Sequence, residues 1–540
     1  MRNSGLAINL KFFLFGLFYI LFFFSRCQPE KNGPGGPILI VSNISTNPFS
    51  AYYAEILRAE GLNEFDVAEM IDISARIISH YSVIIVGDIP VSEKQTAFLT
   101  TWVEKGGILI AFRPDSLLYH LFGIQQKEKK VLADKYISIN AGIAAGAGIT
   151  NETLQYHGKA DIYTLSEAFS LATLYSDAAT ATPHPAVTSH NVGAGRAIAF
   201  AYDLARSVVY TRQGNPEWRG LKSNIAQGPI RSNDLFINKS GTDSLHDYID
   251  FDKIAIPQAD EQQRFLCNLI LKTSPIPLPR FWYLPKALKA AIVMTGDDHN
   301  LFGTSARFEK YLKSGPNTAD DVKNWNAVRA TSYLYSKNKM SDEQAKYYQD
   351  QGFEIALHLF TSCADWTPKS LDDEWTAQLS EFREKYPDIS KPVTNRTHCM
   401  CWSDWATQAK VQAQHGIHLD VNYYYWPGEW VRNRPGLFTG SAIPMRFADI
   451  DGSIIDCYQA PTQIVDEADI NFTTFTNQLL DKALGEEGYY GAFVANMHTD
   501  ISNHPGSDII IASALKRKVP VISAKQLLTW VEGRNNSSFG

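Results

Sequence analysis

Runs of apolar residues alternate along the first half of the chain with stretches that have helical periodicity. The runs 37–43, 81–88 and 108–114 predict buried strands. The intervening segments, 48–61 and 92–107, repeat apolar residues at helical spacing and end in glycine, as helices commonly do. Strands that alternate with helices predict a parallel sheet with both faces covered.

The pattern changes between about residues 130 and 201, where short alternating runs rich in Gly and Thr predict a β-rich insertion or a small β domain. The arrangement of the whole unit, 37–275, resembles the glutamine-amidotransferase-like fold. Enzymes of that fold carry a nucleophilic cysteine after a central strand. No cysteine occurs between Cys27 and Cys267, so we predict that this α/β domain is non-catalytic.

A proline-rich segment, residues 274–285, separates the two halves of the chain. Its four prolines make it stiff and exclude a helix, so we place the main boundary there and a second domain at 276–540. Strand and helix patterns alternate again in this second domain. This alternation predicts another parallel α/β unit.

Polar clusters follow the apolar runs of this second domain. They contain Asp297 and Asp298, His358, Arg396 and His398, Asp420, and His498. In parallel α/β barrels the carboxyl ends of the strands are where sites are built. One such histidine is usually structural, but five clusters in the same relative position predict a functional site.

The amino terminus predicts export. Thirteen apolar residues, Phe12–Phe24, follow the basic residues Arg2 and Lys11, which is typical of a secretory signal and short for a membrane span. Cys27 directly after this run resembles a lipoprotein attachment site, although Arg26 stands where a small residue is usual. An uncleaved short anchor is the alternative to a signal peptide.

We therefore predict a signal peptide at 1–27, with lipid attached at Cys27 in the lipoprotein case, and a flexible linker at 28–36. The protein is expected at the cell surface, in the outer membrane or in the periplasm, held to the membrane by its signal or lipid anchor. With 45% hydrophobic and 20% charged residues and a net charge of -7, the 540-residue chain has no basic bias that would indicate nucleic-acid binding. An exported protein can pair its cysteines, and the five beyond Cys27 leave at least one thiol free within a chain.

The residue types in the polar clusters are those of a divalent metal site. A metal ion held by carboxylate and imidazole groups polarises a carbonyl and activates water, which is what hydrolysis of an unreactive amide requires. Asp298 and His358 are the candidate ligands, and the expected ion is Zn²⁺. The third ligand is open: we favour His398 over a hydroxyl of Thr361 or Ser362, or a water.

The order and spacing of these motifs resemble the polysaccharide deacetylase superfamily of carbohydrate esterases. "TGDD" at 295–298 resembles the Thr-Phe-Asp-Asp motif, and "GFEIALHLFTS" at 352–362 resembles the second motif, with Ser362 in place of its second histidine. "NRTHC" resembles Arg-x-Pro-Tyr, with His398 at the proline. "HGIHLDVNYYYWP" and "ANMHTD" resemble the last two motifs. The match covers about residues 281–532, and its departures indicate an outlying branch. The resemblance implies that the second domain is a distorted (β/α) barrel.

The resemblance implies a role for each of four residues. Asp297 corresponds to the catalytic base, and Arg396 to the arginine that orients and tunes that base. His498 corresponds to the general acid that protonates the leaving amine, and Asp420 to its carboxylate partner. The aromatic stretch that includes Tyr425 and Trp426 is expected to stack on sugar rings, with ordinary packing of a strand end as the alternative.

The resulting hypothesis is a metal-dependent hydrolase that removes N-acetyl groups from an amino-sugar polysaccharide, and so acts on C–N bonds other than peptide bonds. The branch it resembles deacetylates exopolysaccharides such as galactosaminoglycans. The first domain is then expected to hold the polymer. Two alternatives stay open: a metal-dependent phosphatase or glycoside hydrolase on a similar barrel, and a polysaccharide-binding surface lipoprotein with a degenerate site. The serine at 362, where the second motif has a histidine, favours a degenerate site. Retention of Asp297, Asp298, His358 and His498 opposes it.

Overall fold

A computed structural model describes most of the chain, namely residues 36–126, 129–223, 227–237, 248–425 and 436–539. The predicted signal peptide with Cys27, nearly all of the predicted linker, and Trp426 lie outside the described residues. Within the described ranges no helix is long and apolar enough to cross a membrane.

The first half forms a nine-stranded sheet with two small strand pairs beside it. Its strands are β1 Ile38–Ser42, β2 Phe65–Glu69, β3 Val83–Val86, β4 Ile108–Phe112, β5 Ile124–Gln125, β6 Val131–Ala133, β7 Tyr136–Ile139, β8 Leu154–Gln155, β9 Lys159–Asp161, β10 Thr164–Leu165, β11 Phe169–Tyr175, β12 Ala181–Val192 and β13 Gly195–Phe200. The order in the large sheet is β2-β1-β3-β4-β13-β12-β11-β7-β8. The segment predicted to be β-rich therefore extends the same sheet.

The two ends of this sheet differ in strand direction. From β2 to β13 the neighbours run parallel, and from β13 to β8 they run antiparallel. The helices are α1 Tyr53–Ala59, α2 Ala75–Ile78, α3 Glu93–Glu104, α4 Leu204–Gln213 and α5 Gln258–Thr273. The parallel α/β part matches the predicted alternation, and the resemblance to amidotransferase-like folds stays a prediction.

The second half is built on ten strands of the described chain. They are β14 Ala290–Asp298, β15 Thr331–Leu334, β16 Glu354–Leu359, β17 Thr394–Thr397, β18 Leu419–Asp420, β19 Met445–Ala448, β20 Ile454–Gln459, β21 Thr462–Val465, β22 Gly491–Asn496 and β23 Val521–Ile522. Its helices are α6 Gly303–Leu312, α7 Ala319–Lys323, α8 Asp342–Asp350, α9 Pro368–Lys385, α10 Thr407–Gln414, α11 Phe472–Leu484, α12 Pro505–Lys516 and α13 Ala524–Asn535.

This second sheet is curled and almost entirely parallel. Its order is β19-β20-β18-β17-β16-β15-β14-β22-β21, and only β19 runs antiparallel to its neighbour. Two residues separate β20, which pairs with β18, from β21, which pairs with β22. One stretch of chain thus borders both ends of the parallel series, an arrangement consistent with an α/β barrel. The carboxyl ends of these strands meet at one rim.

The two halves are joined by buried ion pairs as well as apolar contacts. Arg446 on β19 places Nη2 2.7 Å from Oε2 of Glu55 on α1. Nη2 of Arg280, in the proline-rich segment, lies 2.7 Å from Oε2 of Glu60. Because each glutamate side chain is almost fully buried, removing either arginine would leave a buried charge without its partner.

Candidate active site

The end of β14 presents three consecutive polar residues, and the pleat of the strand separates them. Successive side chains of a strand point to opposite faces, so Asp297 and His299 face one way and Asp298 the other. Asp297 and His299 lie at the carboxyl rim of the curled sheet, where Asp297 approaches His358 and His299 approaches His398. Every residue of β14 is buried, so both faces of the strand are covered.

The carboxylate of Asp298 accepts hydrogen bonds from residues between the end of β14 and the first turn of α6. Its Oδ1 accepts hydrogen bonds from the backbone N–H groups of Asn300 and Leu301, both at 2.9 Å. Its Oδ2 accepts one from the hydroxyl of Thr304 at 2.7 Å. The structure therefore places this predicted metal ligand in the hydrogen-bonded turn that leads into α6, outside the cluster of imidazoles described next.

Three imidazoles converge at the rim. Nδ1 of His398 lies 2.9 Å from Nε2 of His299 and 3.3 Å from Nε2 of His358. The three nitrogens lie within 4.8 Å of one another. We call His299, His358 and His398 the three-histidine cluster. They come from the ends of β14, β16 and β17; β16 and β17 are adjacent in the sheet, and β15 lies between β14 and β16.

The outer nitrogens of two of these rings decide which nitrogen faces inward as an acceptor. Nδ1 of His358 lies 2.8 Å from the carbonyl oxygen of Arg396, so Nδ1 carries the proton and Nε2 keeps its lone pair. Nδ1 of His299 lies 2.6 Å from Oδ2 of Asp500, which fixes the same tautomer. Carboxylate and carbonyl partners of this kind orient metal-binding histidines and raise their basicity.

Burial keeps two rings of the cluster neutral. It lowers the pKa of His358 to about 3 and that of His398 to about 4. For His299 burial also acts to lower the pKa, but the hydrogen bond to Asp500 outweighs it and the pKa is raised. Neutral imidazole is the form that binds a metal ion.

The cluster fits a zinc ion. Tetrahedral zinc with Zn–N bonds of about 2.0–2.1 Å requires nitrogens about 3.3 Å apart, close to the 2.9 Å and 3.3 Å that separate Nδ1 of His398 from Nε2 of His299 and of His358. Three imidazoles with carbonyl or carboxylate partners are a donor set that zinc accepts while keeping a fourth position for water or substrate. The residues present therefore fit a zinc ion held by His299, His358 and His398.

Asp297 lies beside the cluster, surrounded by positive or potentially positive groups. Its Oδ1 is 3.8 Å from Nδ1 of His358 and 3.6 Å from Nε of Arg396, and its Oδ2 is 3.9 Å from Nε2 of His498. Burial acts to raise the pKa of Asp297, but these neighbours outweigh it and the pKa is lowered. Asp297 is therefore ionised at neutral pH. Arg396 therefore lies close enough to Asp297 to lower its pKa, the role that the family resemblance implies for it.

His498, which follows β22, is paired with the carboxylate of Asp466, the residue directly after β21. Asp466 accepts hydrogen bonds from the backbone N–H of His498 at 2.6 Å and from its Nδ1 at 2.8 Å. Oδ2 of Asp466 also lies 3.1 Å from Nε2 of His504. Burial acts to lower the pKa of His498, but the bond to Asp466 dominates and raises it to about 9. The ring is thus a proton donor at neutral pH.

Asp420 lies elsewhere in the barrel. Its Oδ2 accepts hydrogen bonds from the side-chain amides of Gln412 at 2.8 Å and Asn422 at 2.5 Å. Burial raises the pKa of Asp420 to about 6. His498 therefore has a different carboxylate partner from the predicted one, and Asp420 ties α10 to β18 inside the core.

The predicted aromatic platform is only partly described, because Trp426 lies outside the described residues. Tyr425 is 2% exposed and its hydroxyl donates to the carbonyl of Gln463 at 2.8 Å, so it packs in the core. Two other aromatics stand at the rim. The ring of Tyr335 lies 5.5 Å from that of His398, and Phe360, 39% exposed, lies 5.2 Å from the same ring.

A disulfide between Cys363 and Cys399 ties the loop after β16 to the loop after β17. Ser362, one of the alternative third ligands, precedes Cys363 in this loop and has a left-handed backbone with φ of 57°. Among the described residues, Cys267, Cys401 and Cys457 are free and buried.

Four residues near the site were not among the predicted site residues, namely His299, Asp466, Asp500 and His504. Asp466 directly follows the apolar strand β21, so the rule that singled out the other strand ends also applies to it. Asp500 and His299 could have been found from the alternation of side chains along the strand ends, since each lies two residues beyond a predicted site residue.

Comparisons with known proteins reveal only distant similarities of fold. No protein-family model matches the chain, and no curated protein matches it. A structure of Agd3, a carbohydrate deacetylase, aligns with a TM-score of 0.36 at 10% identity over 93% of this chain and 87% of its own. A cold-adapted β-galactosidase from Rahnella sp. R3 aligns with a TM-score of 0.27 at 19% identity. That alignment spans 32% of this chain and less than a third (29%) of the galactosidase.

Proposed function

We propose that this protein is a metal-dependent hydrolase that removes N-acetyl groups from an amino-sugar polysaccharide. The observation that carries the proposal is the convergence of three imidazole nitrogens within 4.8 Å, beside the buried carboxylate of Asp297. Amide hydrolysis requires an activated water, a polarised carbonyl and a proton donor for the leaving amine. The site contains groups suited to each requirement.

His299, His358 and His398 would hold the metal ion, so His299 replaces Asp298 in the proposed ligand set. A bound Zn²⁺ would polarise the acetyl carbonyl and lower the pKa of water. His398 is retained as the ligand in place of Thr361 or Ser362, because its Nδ1 lies within the three-histidine cluster.

Asp297 and His498 divide the proton transfers between them. Asp297, held ionised by its neighbours, accepts the proton of the attacking water as general base. His498, protonated below about pH 9, donates a proton to the nitrogen as the C–N bond breaks. Their 3.9 Å separation allows both to serve one reacting centre. The products are acetate and a free amine on the sugar.

Asp466 and Arg396 keep these two groups in the required protonation states. Asp466 accepts hydrogen bonds from Nδ1 and from the backbone N–H of His498, which fix the orientation of the ring and keep it protonated. Arg396 Nη2 donates to the hydroxyls of Thr295 at 3.2 Å and Thr462 at 3.0 Å, which anchors the guanidinium beside Asp297. Tyr335 and Phe360 at the rim offer aromatic faces to a sugar ring in place of Tyr425.

The proposal extends to location. The apolar stretch Phe12–Phe24 supports export, and Cys27 supports a lipid anchor at the cell surface. Mass spectrometry of the protein from membranes would detect the acyl mass at Cys27, and its absence would remove the anchor from the proposal without affecting the chemistry.

The chemistry is tested by measuring acetate released from an N-acetylated glycan before and after chelation. Removal of the metal should abolish acetate release, and added Zn²⁺ should restore it. Activity that survives exhaustive chelation would contradict the proposal. Release of phosphate from phosphate monoesters, or of reducing sugar from glycosides, would support one of the alternative hydrolases.

A further inference from the structure

A short segment of the first half, residues 230–232, lies against both loops that surround His398. One loop follows β16 and spans residues 360–366, and the other follows β17 and spans 398–403. The 398–403 loop carries a member of the three-histidine cluster, so whatever fixes this loop also fixes that imidazole.

The 230–232 segment bonds to both loops. The backbone N–H of Ile230 donates to Oδ1 of Asp365 in the 360–366 loop at 2.7 Å. The carbonyl of Ile230 accepts from the backbone N–H of Trp402 at 2.8 Å. Nε of Arg231 donates to the carbonyl of Cys399 at 3.1 Å. Cys399 is the residue next to His398, so the guanidinium acts one peptide away from the proposed ligand.

The 398–403 loop needs such restraints. Cys399 and Met400 have left-handed backbones, with φ of 55° and 51°. Residues with a Cβ are disfavoured in this region, and two in succession persist only when the surroundings determine them. If the loop relaxed, the ring of His398 would turn away from His299 and His358.

Arg231 is itself held in place for this contact. Its backbone N–H donates to Oδ2 of Asp234 at 2.8 Å, and its Nη1 donates to the carbonyl of Gln227 at 3.1 Å. Gly228 has φ of 99°, and a Cβ there would lie 2.9 Å from Nη2 of Arg231. The segment therefore leaves room for the guanidinium and directs it at the loop.

We propose that Arg231 is a positioning residue of the metal site, supplied by the first half of the chain. By binding the carbonyl of Cys399 it holds the 398–403 loop in the conformation that aims His398 at His299 and His358. The inference rests on the proposed metal-dependent function. It gives the first half a part in building the active site, in addition to the predicted role of holding polymer.

The test compares three variants of the full-length protein. Zn²⁺ affinity is measured by competition with a chelating dye, and thermal unfolding of the metal-free protein is measured in parallel. Arg231→Ala should weaken Zn²⁺ binding about tenfold or more, the range found for groups that orient metal ligands. Arg231→Lys, whose ammonium can still donate to the carbonyl of Cys399, should stay within about threefold of the wild type.

Arg446→Ala is the matched control. Arg446 also joins the two halves, through Glu55, but lies on β19 at the edge of the curled sheet. It should lower the unfolding temperature and leave Zn²⁺ affinity unchanged. Equal loss of affinity in Arg446→Ala and Arg231→Ala would mean a general effect of domain contact, and would overturn the proposal.

The outcomes separate this inference from the proposed function. Unchanged Zn²⁺ affinity in Arg231→Ala overturns only the role of Arg231. Weakened binding in Arg231→Ala, combined with a wild-type protein that binds Zn²⁺ and releases no acetate, supports Arg231 and overturns the deacetylase. A wild-type protein that binds no Zn²⁺ overturns both.

Discussion

Nε2 of His299 lies 2.9 Å from Nδ1 of His398, although 99 residues separate them along the chain. They meet because β14, β16 and β17 run parallel and end at the same rim of the curled sheet. Two basic nitrogens this close, with a third from His358, repel one another by their lone pairs unless a proton or a metal ion lies between them. The relationship motivates the first prediction.

His299→Ala should abolish high-affinity Zn²⁺ binding, because it removes one of three proposed imidazole ligands. Asp298→Asn should leave Zn²⁺ affinity within about threefold and instead lower the unfolding temperature, since Asp298 accepts three hydrogen bonds in the turn that leads into α6. A hydrogen bond to a charged group contributes about 1.5–3 kcal/mol. Isothermal titration and thermal unfolding check both, and the reverse pattern would restore Asp298 to the ligand set.

Ser362→Ala is the matching control for the third ligand. It removes the hydroxyl that the sequence offered as an alternative to His398 and should change Zn²⁺ affinity little. His398→Ala should lower that affinity by at least tenfold. If Ser362→Ala weakens binding and His398→Ala does not, the hydroxyl is the ligand.

Asp297→Asn should lower kcat for acetate release by about 10²–10⁴-fold, the usual contribution of a general base. Zn²⁺ content should stay near normal, because Asp297 is not a proposed ligand. Metal analysis together with steady-state kinetics separates the two effects. A loss below about tenfold would exclude Asp297 as the base.

Asp466→Asn should move the alkaline limb of kcat toward lower pH. His498 is active when protonated, and with a pKa near 9 its acid form is lost as the pH rises through that value. Without the carboxylate the pKa of His498 falls, so the decline should begin at least one pH unit lower. Asp420→Asn should leave the limb in place. An unshifted limb in Asp466→Asn would remove His498 as the acid.

Asp420→Asn should change stability in a pH-dependent way. Burial raises the folded-state pKa of Asp420 to about 6, above its ordinary value of 3.8, so its contribution to folding is present below about pH 4 and lost as the pH rises through 6. The shift corresponds to a contribution on the order of 3 kcal/mol. Compared with the wild type, the variant should therefore be less stable at pH 4 than at pH 7. Urea titrations at both pH values measure this difference in the free energy of unfolding. A difference independent of pH would contradict this assignment.

Replacement of the disulfide by serines at Cys363 and Cys399 should weaken Zn²⁺ binding and lower stability by about 2–4 kcal/mol. The bond ties the loop that carries His398 to the loop after β16, so its loss frees the left-handed segment. Cys457→Ser, at a free buried cysteine, is the control and should leave Zn²⁺ affinity unchanged. If the double serine variant binds Zn²⁺ as tightly as the wild type, the disulfide does not position His398.

Local patterns along the chain were sufficient for the strand and helix alternation, and for the polar clusters at the strand ends. The apolar run before Asp297 predicts a buried strand because such a run is stable only inside a sheet, and β14 is buried throughout. The same patterns led to His358 and Arg396, which lie together beside Asp297. These are properties of short segments, which local sequence determines.

Only the tertiary structure decided which neighbours at a strand end face the three-histidine cluster and which remote groups join them. The pleat places Asp298 and His299 on opposite sides of the chain, and because both faces of β14 are buried, only the curl of the sheet decides that His299 meets His398. Asp466 reaches His498 because β21 and β22 are adjacent, and Arg231 reaches the His398 loop because the two halves pack together. Such contacts depend on long-range packing, which no pattern within a short segment determines.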